Sequence, residues 1–274
     1  MELIPILIPY GGLNGEINEC LLSVANQVDC PGKQFHIHVL RDSRLNDTQV
    51  KNYVVQILRK KGVGLTVHYD TNTTSILDMR IKLVTIASQL GAKRAVFFDS
   101  DALMDVDALR NMILTWDAFT FDVAGKSEPE PPAFIEGLRI EVGGRENEKE
   151  FSTLELKQVK EGTGDKPFEI FCGDTCFLMF DVRLFMKCDV EYFREYLDEI
   201  SLTGEDFAWS VDALMKSDRK AWSAPSAIVW HTASQNAGYW KNFAGSDKLL
   251  KSVIFARYKD RDKINNILTR VFGG

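Results

Sequence analysis

The sequence has few of the residues on which the commonest catalytic and redox centres are built. Its 274 residues include four histidines and five cysteines. The cysteines, Cys20, Cys30, Cys172, Cys176 and Cys188, form an odd set with no Cys-x-x-Cys pair. That pattern argues against a disulfide framework and against a metal site on Cys172 and Cys176, and it fits free thiols in a reducing compartment. No Gly-x-Ser-x-Gly elbow and no Walker loop occurs, and Gly11 to Gly15 lacks dinucleotide-binding order because Tyr10 stands where the first glycine belongs. No apolar run is long enough for a transmembrane segment. Met1 to Tyr10 has no basic leader and is broken by Pro5 and Pro9, so it reads as a first strand rather than an export signal. The expected location is cytoplasmic.

A composition of 45% hydrophobic and 26% charged residues describes an ordinary globular protein able to bury one large core. A formal net charge of -6 gives no support to wholesale polyanion binding. The charge is unevenly spread. From residue 241 onward, Lys241, Lys248, Lys251, Arg257, Lys259, Arg261, Lys263 and Arg270 face only Asp247, Asp260 and Asp262.

Hydrophobic periodicity gives alternating strands and helices. Strands are predicted at 3–9, 35–40, 63–69, 95–98 and 119–124, with helices at 17–28, 48–60, 76–90 and 106–116 between them. Such alternation implies an α/β fold with a mostly parallel central sheet and right-handed crossovers. From Lys126 to Lys166 the pattern loosens around Glu128 to Pro132 and Gly143-Gly144, which reads as a variable loop or lid carrying a strand near 151–159. Strand signals return at 168–180, helices follow at 192–200 and 203–215, and a last strand covers 227–230. The tail, with Leu249, Leu250, Val253, Ile254, Ile264, Ile267, Leu268 and Val271 at helical spacing, reads as one or two amphipathic helices.

The stretch that organises these elements is Ala95-Val96-Phe97-Phe98, a buried-strand pattern that ends in Asp99-Ser100-Asp101. Carboxylates one residue apart at a strand tip present hard oxygen ligands for Mg2+ or Mn2+, which in turn clamp a diphosphate. A solvated acidic turn is the competing reading. Of the histidines, His36 and His38 share a strand face and read as half-buried structural residues rather than metal ligands.

Taken in order, several motifs resemble the GT-A type nucleotide-sugar glycosyltransferases, most closely family 2, over residues 3 to 231: Ile8-Pro9-Tyr10, Leu21 to Gln27, Val39 to Thr48, Met79 to Lys82, Asp99-Ser100-Asp101 and Gly204 to Trp209. The resemblance implies a single GT-A domain over 1–235, with a nucleotide-binding half at about 1–125 and an acceptor-side half at about 126–235, and a basic helical extension over 236–274. It assigns Pro9, Tyr10, Asp42, Arg80, Asp99, Ser100 and Asp101 to the nucleotide sugar. Arg41 replaces the family's first aspartate beside Asp42. Asp206 is implied as general base, with Glu205 orienting the acceptor or a neighbour, because an acceptor hydroxyl needs its proton removed as it attacks. Thr203 and Asp206 also make a passable helix cap.

By the same resemblance Asp99, Asp101 and His231 hold the metal, and the imidazole tilts the choice to Mn2+ over Mg2+. Asp174 and Trp240 fall on the acceptor side. The implied reaction is metal-dependent transfer from a UDP-sugar with inversion, to a glycan, a lipid-linked sugar or a hydroxylated nucleic-acid base. Three alternatives remain open. A retaining GT-A enzyme shares the metal motif; Phe97 to Asp101 also resembles the opening motif of haloacid-dehalogenase-like phosphatases, with Asp99 as nucleophile; a non-catalytic sugar- or nucleic-acid-binding module would keep the scaffold. The basic end is expected to cap the core, to rest on an anionic membrane or to track nucleic-acid phosphates.

Overall fold

A computed structural model describes residues 1–10, 16–42, 50–70, 75–121, 129–142, 166–191, 205–232, 258 and 261–272. Its centre is a nine-stranded sheet in the order β3-β2-β1-β4-β8-β6-β9-β5, with β7 paired to β9. The strands are β1 (Glu2–Tyr10), β2 (Lys33–Asp42), β3 (Gly64–Asp70), β4 (Arg94–Phe98), β5 (Ala102–Met104), β6 (Phe134–Val142), β7 (Phe168–Ile170), β8 (Phe177–Asp181) and β9 (Ala221–Thr232). The helices are α1 (Glu16–Ala25), α2 (Asn52–Lys60), α3 (Ile76–Gln89), α4 (Ala108–Ala118), α5 (Val182–Phe185), α6 (Glu205–Lys216) and α7 (Arg261–Phe272).

The parallel expectation holds across β3-β2-β1-β4. Beyond β4 the sheet is mixed, because β8 runs antiparallel to both β4 and β6, while β6 and β9 are parallel to each other. Pro5 and Pro9 lie in an interior strand, where a residue without an N–H costs a ladder bond. The structure accommodates them unevenly: β1 pairs with β2 from Glu2 to Tyr10 but with β4 only at Ile6 and Leu7.

Apolar cover on both faces explains why β4 reads as an unbroken hydrophobic run. Ala95 and Phe97 enter the core shared with α3, α5, α6 and α7, whereas Val96 and Phe98 enter the one shared with α1, α2 and α4. Phe97, Phe180, Phe185 and Trp209 form a continuous ring stack, with centroids 4.6 Å apart for Phe97 and Phe180, 4.2 Å for Phe180 and Phe185, and 5.1 Å for Phe185 and Trp209. That stack joins β4 and β8 to α5 and α6. From the tail, Ile264 and Ile267 of α7 are buried in the same core.

Three sequence expectations are corrected. The predicted strand at 119–124 does not form over Phe119 to Phe121: α4 runs on to Ala118, Phe119 caps it, and Phe121 makes only an isolated bridge to Glu130. Its aromatic signal reflects side-chain packing, since the Phe119 ring stacks on Trp222 at 3.9 Å. The predicted loop over 126–166 contains β6, a nine-residue interior strand. Glu136, Gly137 and Arg139 broke its apolar pattern, yet Glu136 is only 3% exposed. Gly137 is required there, because a Cβ would stand 2.2 Å from Phe177 Cδ1 and 2.6 Å from the Ala227 carbonyl oxygen. The last strand begins earlier than predicted, at Ala221. The predicted elements at 151–159 and 192–200, and the tail before Tyr258, lie outside the described residues.

Candidate functional site

The site forms where β4 ends. Antiparallel pairing sets Phe98 opposite Phe177, so Asp99 and Cys176 meet one step further, and the Asp99 N–H donates to the Cys176 carbonyl at 3.1 Å. On the other flank Ala102 of β5 faces His231 of β9, which brings the His231 Nε2 to 3.3 Å from Asp101 Oδ1. A carboxylate oxygen of Asp99, the Cys176 sulfur and an imidazole nitrogen of His231 all lie within 4.8 Å of one another. Asp99, Asp101 and His231 are therefore neighbours. Cys176 joins them.

Arg80 approaches from α3, whose first turn is capped by the Ser75 hydroxyl accepting from the Asp78 N–H at 3.1 Å. The guanidinium does not reach out to bulk water along the apolar stem. Arg80 is only 3% exposed and lies over the Phe97 ring, 5.7 Å from its centroid. Its Nη2 donates to Asp99 Oδ1 at 2.8 Å and its Nη1 to Asp206 Oδ1 at 3.0 Å. Burial at the strand tip raises the Asp99 carboxyl above its usual range; Arg80 opposes this, and Asp101 and Asp174 add to it.

Asp206 enters at the start of α6, and Trp209, one turn later, fixes that helix to the aromatic stack. The buried Thr175 hydroxyl donates to Asp206 Oδ1, and Ser210 of α6 accepts from the Gly173 N–H at 3.0 Å. The β7–β8 loop and α6 thus hold each other. Asp174, predicted on the acceptor side, is engaged within this loop: its carboxylate takes an ion pair from Arg139 and the Cys176 N–H at 2.8 Å, while its own N–H donates to Glu136 Oε1 at 2.8 Å. Although burial works against it, Arg139 and the Cys176 N–H hold the Asp174 carboxyl below its usual range. Sequence reading singled out neither Thr175, Arg139 nor Glu136. The available signal was the density of polar residues around Gly173, in a stretch otherwise apolar.

Pro9 and Tyr10 end β1 and are buried. Beside them a cleft of about 280 Å3 is lined by Tyr10, Val39, Arg41, Leu65, Val67 and Tyr69 among others. Arg41, facing Tyr10 in register, lies 6.0 Å from the Tyr69 ring centroid. Asp42 ends β2 opposite Asp70, and its side chain lies outside the described set, as does that of Glu205. Ser100 occupies the turn between the two aspartates. Trp240 lies outside the described residues.

A larger cavity of about 1190 Å3 opens at the opposite edge of the sheet, bordered by Glu2, Arg94, Asp117, Glu130, Asp181 and Arg219. Its charges are mutually engaged: Arg94 pairs with Glu2 and Asp117 at 2.9 Å each, and Arg219 with Asp181 at 2.7 Å and Glu130 at 3.3 Å. The convergent carboxylates lie at the other end. No helix among the described residues is long and apolar enough to cross a membrane.

No protein-family model matches the chain, and no curated protein matches it in sequence. Solved structures do. TarS of S. aureus shares 17% identity at a TM-score of 0.61, over 99% of this chain and 44% of that one. TarS 1-349 in complex with UDP shares 16% at 0.58, over 100% and 72%. The mannosyltransferase PcManGT from Pyrobaculum calidifontis, in complex with GDP-Man and Mn2+, shares 15% at 0.56, over 97% and 68%. The chain thus spans less than half the length of the longer TarS structure. Across nearly its whole length, then, this chain has the GT-A-type fold of these glycosyltransferase structures.

Proposed function

We propose that the protein is a metal-dependent glycosyltransferase that moves a hexose from a UDP-sugar to an acceptor hydroxyl with inversion of the anomeric centre. The observation that carries this reading is the Arg80 bridge, which gathers Asp99 and Asp206 around one guanidinium at the sheet's C-terminal edge. The fold adds support, since structures that share it were solved with UDP, UDP-GlcNAc, or GDP-Man and Mn2+. Asp99 here directly follows the fourth strand of a GT-A-type sheet, which favours glycosyl transfer over phosphate-ester hydrolysis by Asp99.

The donor set fits a divalent ion: Asp99, Asp101 and His231 supply carboxylate oxygens and an imidazole, which suit Mn2+. When bound, the ion offsets charge on the departing diphosphate. The chain's own residues do the remainder. Tyr10 and Arg41 border the cleft taken to hold the base, and Asp42, next to Arg41 at the end of β2, is assigned to the base by the motif resemblance. Arg80 turns from its carboxylate partners to the diphosphate oxygens, which a guanidinium matches in a bidentate manner. Asp206, oriented by Thr175 and released by Arg80, takes the acceptor proton as the hydroxyl attacks opposite the leaving group. Glu205 and Asp174 border the acceptor side. The acceptor is a glycan, a lipid-linked sugar or a hydroxylated nucleic-acid base, and the basic segment after residue 236 is the candidate contact to a charged acceptor surface.

The test is a panel of nucleotide sugars incubated with purified protein and Mn2+, with nucleoside diphosphate release as readout. UDP-sugar turnover that falls about 10²- to 10⁴-fold in Asp206→Asn supports the reading. Proton NMR of the product showing retained configuration removes Asp206 from the base role, and no release from any donor overturns the assignment.

A further inference from the structure

The carboxylate ledge at the end of β4 faces a sulfur atom. Cys176 immediately precedes β8, and its carbonyl is fixed by the Asp99 N–H while its own N–H is fixed by Asp174. Those two bonds fix the backbone from which the side chain extends, and Cys176 is 0% exposed. His231 arrives independently from β9, set by its register with Ala102. The result is three donors of three chemical kinds, an oxygen, a sulfur and an imidazole nitrogen, from three separate segments, within 4.8 Å of one another. Asp99 and His231 are partly exposed, so the thiol forms the floor of the group.

We propose that Cys176 is a direct ligand of a thiophilic divalent cation, Zn2+ or its analogues Co2+ and Cd2+, at a centre completed by Asp99 and His231. This deepens the metal-dependent reading above, because it concerns the same pocket. Zinc accepts these three donor types, with bonds of about 2.3 Å to sulfur and about 2.0–2.2 Å to nitrogen and oxygen. Donors around such an ion stand about 3.3–3.8 Å apart, so the group must contract by about 1 Å. Rotation of side chains anchored at the strand tips supplies a movement of that size.

Hard ions behave differently at the same place. Mn2+ and Mg2+ prefer oxygen, with imidazole tolerated by Mn2+, and leave the thiol protonated. A thiophilic ion forms a sulfur–metal bond, and the thiol proton leaves to solvent. Two ion-dependent ligand sets therefore share Asp99 and His231. Zn2+ binds more tightly than Mn2+ and competes with it.

The experiment uses the chelator-stripped full chain titrated with Co2+ and followed by optical absorption. A near-ultraviolet thiolate-to-cobalt charge-transfer band is expected in the unmodified protein and in Cys20→Ser, and is lost in Cys176→Ser. Calorimetry should show Zn2+ affinity falling at least about tenfold in Cys176→Ser while Mn2+ affinity holds. X-ray absorption of the zinc-loaded unmodified protein, which needs no variant to fold, should show a sulfur shell at about 2.3 Å. No charge-transfer band, a band that survives Cys176→Ser, or a zinc shell of nitrogen and oxygen alone overturns the proposal. None of these readouts requires sugar transfer, so a thiolate centre in a protein inert to every nucleotide sugar would retain this proposal and refute the other.

Discussion

Arg80 Nη1 and Asp206 Oδ1 lie 3.0 Å apart across 126 residues of sequence. The same guanidinium reaches Asp99, so one buried cation is shared by the strand-tip carboxylate and by the carboxylate proposed as base. Removing a single partner from such a group leaves charge without its counterpart.

Arg80→Ala should therefore lower both activity and stability. Urea denaturation is expected to show a loss of about 2–4 kcal/mol, and diphosphate release should fall at least about 100-fold. Arg80→Lys should recover stability more than turnover, because an ammonium cannot span both carboxylates. Full activity in Arg80→Ala would separate the bridge from catalysis.

Thr175 is buried and its hydroxyl donates to Asp206, so its expected effect on the reaction runs through that carboxylate. Thr175→Val keeps the shape and removes the hydroxyl donor; kcat should fall about tenfold with KM little changed, and the acid limb of the kcat profile should move to higher pH. Thr175→Ser should restore both. A variant that changes KM alone would assign the residue to binding.

The three strand histidines give a pH dependence of stability. His36 and His38 rings stack at 4.5 Å, and His38 Nδ1 lies 3.1 Å from His68 Nε2. Burial, then repulsion from His36 and His68, lowers His38 from the ordinary histidine range to about 4. The unfolded chain protonates near pH 6.5, before the folded one does, so this contribution is complete above that pH and is lost as pH falls to about 4. The loss amounts to about 3 kcal/mol at most. Denaturation midpoints measured between those limits should fall in the native chain and fall less in His38→Leu; parallel curves would exclude the histidine cluster as the cause.

Gly137 tests the packing of β6. Gly137→Ala should cost about 1–3 kcal/mol, since Phe177 and the Ala227 backbone leave no room for a methyl group. The thermal midpoint is the measurement. Phe177→Leu in the same chain should recover part of the loss, because the nearest obstructing atom belongs to that ring.

Much of the first half of the chain was legible because its signals are local. The run Ala95 to Phe98 is apolar at every position since both faces of β4 are covered, and the polarity change at Asp99 marks the strand tip. The stripe of α3 includes Arg80, but the direction of its head group depends on Asp206, which no spacing within α3 encodes. β6 was missed for a related reason. Its Glu136 and Arg139 look like loop residues until Asp174 is brought beside them to bond both. The aromatic run after α4 misled in the opposite sense, because Phe119 meets its partner Trp222 about a hundred residues away.

The sequence by itself determined the alternation of strands and helices, the buried character of β4 and the presence of paired aspartates at its end, because each depends on the periodicity or polarity of neighbouring residues. Only the tertiary structure decided that Cys176 stands against Asp99, that His231 stands against Asp101, and that Arg80 joins Asp99 to Asp206. Strand register and helix docking set those meetings, and both arise from burial and backbone pairing summed over segments far apart in the chain.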